Sequence, residues 1–227
     1  MDLAKHYDSL YSDAVRKIKS GEYEIDNLID SLSDNRFGIT LLIRPDNPVR
    51  SKIGEFLNEL NVIEPDQYYY PESDIHITVM SIISCYIGFD LSRISVEDYV
   101  ALIEKSINGY KPFEIEFRGI TASPSCVMIQ GFLMDDTLNE IRDTLRVNFR
   151  NTNLEQSIDK RYSIQTAHST VVRFRKELKR RDDFINALDC YRNFKFGTFS
   201  VDSLELVYND WYQRKEKVKE LCRFEMK

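Results

Sequence analysis

The chain has 227 residues, 31 Lys and Arg against 37 Asp and Glu, a net charge of −6, 42% hydrophobic residues and 12% aromatic ones. That apolar and aromatic content excludes a disordered chain. The acidic balance excludes sequence-blind coating of long nucleic acid, which needs a broad basic footprint, but leaves room for a small phosphate pocket.

The four cysteines, Cys85, Cys126, Cys190 and Cys222, stand 41, 64 and 32 residues apart, so no pair has zinc-knuckle or Cys-x-x-Cys spacing. The carboxylates show no metal-ligand spacing either, and no metal or other cofactor is expected. The start, Met1-Asp2-Leu3-Ala4-Lys5-His6, lacks an apolar signal core, which predicts a cytoplasmic protein with reduced thiols. The longest uncharged run, Ile75 to Phe89, is shorter than a membrane-spanning helix requires. No glycine pattern of a Walker loop or a dinucleotide site occurs.

Residues 1–35 are polar and rich in helix formers, and predict one or two helices in an N-terminal extension that ends at the Ser33-Asp34-Asn35 turn. The main fold then runs from 36 to 227. Phe37 to Arg44 reads as a strand stopped by Pro45. Val49, Ile53, Phe56, Leu57 and Leu60 mark one face of a helix. The loop Gln67-Tyr68-Tyr69-Tyr70-Pro71 leads into a strand over Ile75 to Ile83. A helix follows, with Ser95 and Asp98 as a capping box and Val96, Tyr99, Val100, Ile103 and Ile107 as its stripe. Phe113, Ile115 and Phe117 alternate with charge, as in a half-exposed strand. Cys126 to Phe132 is a more apolar strand, and Leu138, Ile141, Leu145 and Phe149 mark another helix. Residues 151–163 read as loop and Ile164 to Phe174 as strand. A helix over about 182–191 and strands over about 196–208 and 217–225 end the chain.

The order strand, amphipathic helix, strand occurs twice at similar spacing: Ile39 precedes His76 by 37 residues, and Val127 precedes His168 by 41. This predicts an internal duplication, two lobes about a pseudo-twofold axis. The chain has three histidines. Two of them occupy matching places, in Ile75-His76-Ile77-Thr78-Val79 and Ala167-His168-Ser169-Thr170-Val171. Side chains at i and i+2 of a strand share a face, so each histidine sits beside its threonine. Adjacent lobes would bring two imidazoles and two hydroxyls to one point. Imidazoles can give and take protons near neutrality, and hydroxyls can donate to phosphoryl oxygens, which together suit a phosphodiester and need no metal. A lone histidine on a strand is usually structural; a matched pair among three is not readily so. His6 lies outside this context and is taken as structural or exposed.

The paired His-x-Thr motifs, 92 residues apart, resemble those of the two-histidine phosphoesterases, which include 2′-5′ RNA ligase-like proteins and cyclic nucleotide phosphodiesterases. The resemblance covers about residues 36–225. His168-Ser169-Thr170-Val171 departs from the usual pattern at Ser169, where the family has an apolar residue; that side chain points away from the expected pocket. The resemblance implies an α+β, bilobal fold with two antiparallel sheets forming a central cleft and helices packed outside. It further implies metal-independent hydrolysis of 2′,3′-cyclic phosphates or 2′-5′ linkages of a nucleotide or single-stranded RNA end. His76 and His168 would be the acid/base pair, in either order, and Thr78 and Thr170 the phosphate clamps.

Arg173 to Arg181 holds six basic residues, readable as phosphate steering or as a solvated helix start. Strand parity puts Arg173 and Arg175 on the Ser169 face unless a bulge re-aims them. Tyr70, with Tyr68 and Tyr69, and Tyr208 and Tyr212, with Trp211, are candidates for stacking a base, against a plain packing role. The chain is expected to act as a monomer, without a membrane partner. Two other readings stand beside an enzyme: a ligand-binding module of the same fold, and a scaffold whose histidines are structural.

Overall fold

A computed structural model describes residues 2–160 and 163–227. Helix α1 (Leu3–Ser20) begins where the Asp2 carboxylate accepts from Lys5 N–H and ends at Gly21, whose φ of 78° closes the helix in the left-handed region. It is the one helix among the described residues up to 35; 21–35 run without regular structure. Strand β1 (Arg36–Ile43) leads to α2 (Asn47–Ile63), capped by Asp46 and started by Pro48. A two-residue strand β2 (Tyr68–Tyr69) and a single 3₁₀ turn (Glu72–Asp74) precede β3 (Ile77–Ile87). Helix α3 (Val96–Ile107) follows. Its Ser95 hydroxyl bonds Glu97 and no side chain caps the first turn, so the expected capping box does not form. Then come β4 (Phe113–Ser123), β5 (Cys126–Leu133) and α4 (Thr137–Arg150). The expected loop at 151–163 includes 161 and 162, which lie outside the described residues. Strand β6 (Ser169–Arg173), α5 (Arg181–Cys190), β7 (Lys195–Val201), β8 (Ser203–Asp210) and β9 (Lys219–Glu225) complete the chain.

The strands form two antiparallel sheets, one curled into a half-barrel, in the orders β3-β1-β8-β9 and β2-β6-β5-β4-β7. With β2 set aside, the orders correspond strand for strand: β3 with β6, β1 with β5, β8 with β4 and β9 with β7. The fold is therefore the α+β, two-lobed arrangement the repeated unit called for. Helices cross between lobes. From the first unit, α2 packs on β7 of the second sheet through Phe56 against Phe196, and from the second unit, α4 packs on β3 of the first. Helix α1 covers β4, where the Thr121 hydroxyl donates to Tyr7 C=O at 2.8 Å, and the Tyr7 hydroxyl reaches on to Gly131 C=O of β5 at 3.3 Å.

One apolar core runs through both lobes, with Ile39, Leu41, Phe56 and Ile77 from the first unit and Val127, Ile129, Leu145 and Val171 from the second. Each such side chain contributes about 1.5–3 kcal/mol on burial. Among the described residues no helix is long and apolar enough to cross a membrane.

Candidate active site

Strand β3 begins one residue after His76, and β6 one residue after His168. Ile164 to Ala167, expected as strand, is not paired. Its carbonyls serve side chains instead: Ile164 C=O accepts from Arg146 and Thr166 C=O from Arg142. Ala167 C=O passes so close to Gly131 that a Cβ there would lie 1.9 Å away, so only glycine admits the approach of this segment to β5.

Both motifs carry the same irregularity. Leu41 pairs with Met80 and Leu42 with Thr78, which leaves Val79 as the extra residue of a bulge. Val127 pairs with Val172 and Met128 with Thr170, which leaves Val171 in the same role. The second bulge shifts the parity of β6. Cys126 and Met128 share a face of β5 and oppose Arg173 and Thr170, so Arg173 turns to the Thr170 side. On β3 the residue three after the threonine, Ser81, is placed likewise, opposite Thr40 while Thr78 opposes Leu42.

His76, Thr78, His168, Thr170, Tyr70 and Arg173 all line one cleft between the sheets, together with Ser81, Asn209, Trp211 and Gln213. Tyr70 is buried, its hydroxyl accepting from Arg173 Nε at 3.0 Å. Tyr68 packs edge-on against Tyr70, and the Tyr69 hydroxyl donates to Glu64 C=O. Tyr208 and Tyr212 are not brought to the cleft. Tyr208 stacks on Phe37 at 4.8 Å, and the fully buried Tyr212 donates to Asp26 and accepts from Arg36. Asn209 lines the cleft near the end of β8, so Tyr208 beside it in the strand turns away; Trp211, Tyr212 and Gln213 follow in a turn, where Trp211 and Gln213 line the cleft and Tyr212 does not. Ser169 is buried outside the cleft. Of the basic run, Arg175, Lys179 and Arg180 pair with Asp30, Asp66 and Asp183, and Arg181 lies over Tyr23; only Arg173 lines the cleft.

The two imidazoles are held differently. His76 Nδ1 lies 2.7 Å from Asp74 C=O, in the 3₁₀ turn. A carbonyl only accepts, so Nδ1 carries the hydrogen and neutral His76 has its free lone pair on Nε2. His168 Nδ1 lies 2.6 Å from the Thr166 hydroxyl, which can give or take a hydrogen. Burial pushes both rings down to about 4. For His76 the Asp74 carbonyl opposes this, while Arg44, His168 and Arg173 add to it. For His168 the charge of Arg142 adds to it, as does the neighbouring His6 imidazole. Thr166 was legible as a third alternate residue in Thr166-x-His168-x-Thr170. Ser81 and Asn209 carried no signal in the sequence. Among the described residues no group of three or more His, Cys, Asp or Glu is placed to hold a metal ion.

The arrangement of strands and helices occurs in solved structures. TT0787 of Thermus thermophilus superposes with a TM-score of 0.59 at 15% identity, over 83% of this chain and 97% of that one. E. coli LigT complexed with 3′-AMP gives 0.54 at 12%, over 85% and 99%. This chain has the LigT fold. A conserved protein of unknown function from Agrobacterium tumefaciens, ATU0111, gives 0.58 at 14%, over 91% and 97%. A solved structure described as a phosphoesterase gives 0.56 at 12%, over 85% and 99%. LigT has also been solved with ATP and with NADP+. No family model and no curated protein sequence matches the chain.

Proposed function

We propose that the chain is a metal-independent two-histidine phosphodiesterase acting on 2′,3′-cyclic phosphate or 2′-5′ linkages of a nucleotide or single-stranded RNA end. The observation that carries this is the convergence of His76, Thr78, His168 and Thr170 on one cleft from matching bulged strands. His76 Nε2, with its lone pair free, takes the proton of the attacking water as the water oxygen bonds to phosphorus. The phosphorus–oxygen bond to a ribose oxygen breaks, and His168 as imidazolium gives that oxygen its proton, leaving a phosphomonoester. The bound phosphodiester's negative charge favours the imidazolium that burial alone disfavours. Thr78, Thr170 and the always-charged Arg173 stabilise the non-bridging oxygens. Trp211 lines the same cleft, with the Arg36 guanidinium 5.0 Å from its ring centroid, and is the side chain assigned to contact a base. The nucleotide complexes of LigT support a nucleotide as ligand.

The test is turnover of a panel of 2′,3′-cyclic mononucleotides and 2′-5′ dinucleotides in EDTA, by wild type and His168→Ala. Turnover that survives EDTA and is lost in the variant, with binding retained, is the expected result. Nucleotide binding without turnover by the wild type would move a non-catalytic binding module ahead.

A further inference from the structure

Arg142 is only 1% exposed, the largest fully buried side chain among the described residues. Its hydrogen bonds go to main-chain carbonyls and not to a carboxylate. Nε donates to Val79 C=O at 3.1 Å, and Nη2 to Thr78 C=O and Thr166 C=O, both at 2.9 Å. Two of these acceptors belong to the first motif and the third lies two residues before His168. The acceptors explain the geometry. Strand β3 is the outer strand of its sheet, and its bulge at Val79 lets two successive carbonyls turn the same way, toward a planar fork of donors. The matching bulge needs no such residue, because Val171 C=O accepts from Tyr70 N–H at 3.0 Å.

A buried cation without a counter-ion is a costly way to fill a core; an apolar side chain of similar volume is often neutral or stabilising there. Arg142 also leaves Nη1 without a protein partner. We propose that Arg142 is a positioning residue: it locks the backbones of the two motif strands to each other and so sets the spacing of the imidazole and hydroxyl groups across the cleft. This rests on the phosphodiesterase reading, because that spacing matters to a reaction shared between the strands. Arg142 also places a positive charge beside His168. Burial pulls Arg142 itself down to about 10, with Arg146 adding and Tyr7 and Asp143 opposing, so it stays charged at neutral pH. The other titratable group facing His168 is His6 from α1, and the charged or titratable groups facing His76 are Arg44, His168 and Arg173.

The experiment compares wild type with Arg142→Met, Arg142→Lys and Leu145→Ala, a buried core residue on the same helix that does not line the cleft. It reads kcat and KM on the best substrate of the panel, the melting temperature, and the titration of both imidazoles by NMR. A misplacement of about 1 Å costs on the order of 100-fold in rate. Arg142→Met is therefore expected to lose about 10- to 100-fold in kcat with KM nearly unchanged. With the neighbouring positive charge gone, its His168 should titrate at higher pH. Leu145→Ala should melt earlier yet keep kcat at temperatures where it is folded. Wild-type kcat and unmoved imidazoles in Arg142→Met would overturn the proposal, as would a kcat loss that simply follows melting temperature across all variants. Should Arg142→Met not fold, Arg142→Lys, which keeps the charge and loses the fork, is judged on kcat alone. If the wild type turns over nothing on the panel, the phosphodiesterase reading fails. The imidazoles then decide for Arg142: resonances of both rings displaced in its variants but not in Leu145→Ala sustain it, and unmoved resonances overturn it.

Discussion

The starts of β3 and β6 are built to one plan and finished differently. In each, a histidine precedes the strand, a threonine follows two residues on, and the next valine forms a bulge. The finishing touches diverge at three points. His76 is bonded to a main-chain carbonyl and His168 to a hydroxyl. The first bulge is held by Arg142 and the second by the Tyr70 N–H. The third residue after the threonine is Ser81 in one strand and Arg173 in the other. In the proposed reaction the shared plan supplies the geometry and the differences supply direction: one ring held as the Nδ1–H tautomer and assigned the base, the other able to hold either tautomer, and fixed positive charge on one strand only.

If that division holds, replacing either ring breaks the reaction. His76→Gln and His168→Gln are each expected to lower kcat about 10²- to 10⁴-fold in steady-state assays. The next effect sharpens the comparison between the strands. Arg173→Gln should cost roughly 10- to 100-fold in kcat/KM, as loss of a charged hydrogen-bond donor of ~1.5–3 kcal/mol. Ser81→Ala, at the matching place, should stay within about threefold. Equal losses from the two would contradict the assigned asymmetry.

Most of the first strand plan was legible in the sequence, because alternation and helical stripes report which face of an element meets the core. Irregularity was not legible. A bulge leaves no mark on Thr78-Val79 or Thr170-Val171, and it decides that Arg173 enters the cleft when simple alternation turns it away. The turn after β8 is a second irregularity: it brings Trp211 to the cleft, while Tyr208 in the strand and Tyr212 in the turn pack elsewhere. Arg142 sits 26 residues before His168 in the sequence, among helix-forming neighbours. Its partners are main-chain carbonyls, and no side-chain pattern announces those.

A smaller effect follows from the imidazoles alone. Both rings lie near 4 in the fold against 6.5 for an unburied ring. Between those values the unfolded chain binds protons that the fold excludes, so stability is unaffected above about pH 6.5 and falls as pH drops toward 4. Melting curves across that window should show the fall in wild type and a shallower one in His168→Gln. A slope unchanged by the substitution would place the rings near their ordinary value.

The division of labour is tested most directly by changing the leaving group. A nucleoside p-nitrophenyl phosphodiester expels an oxygen that needs no proton, whereas a ribose oxygen does. We expect His168→Ala to recover most of its lost rate on the p-nitrophenyl ester relative to the cyclic phosphate, and His76→Ala to be impaired alike on both. Recovery by His76→Ala instead, or by neither variant, would contradict the account.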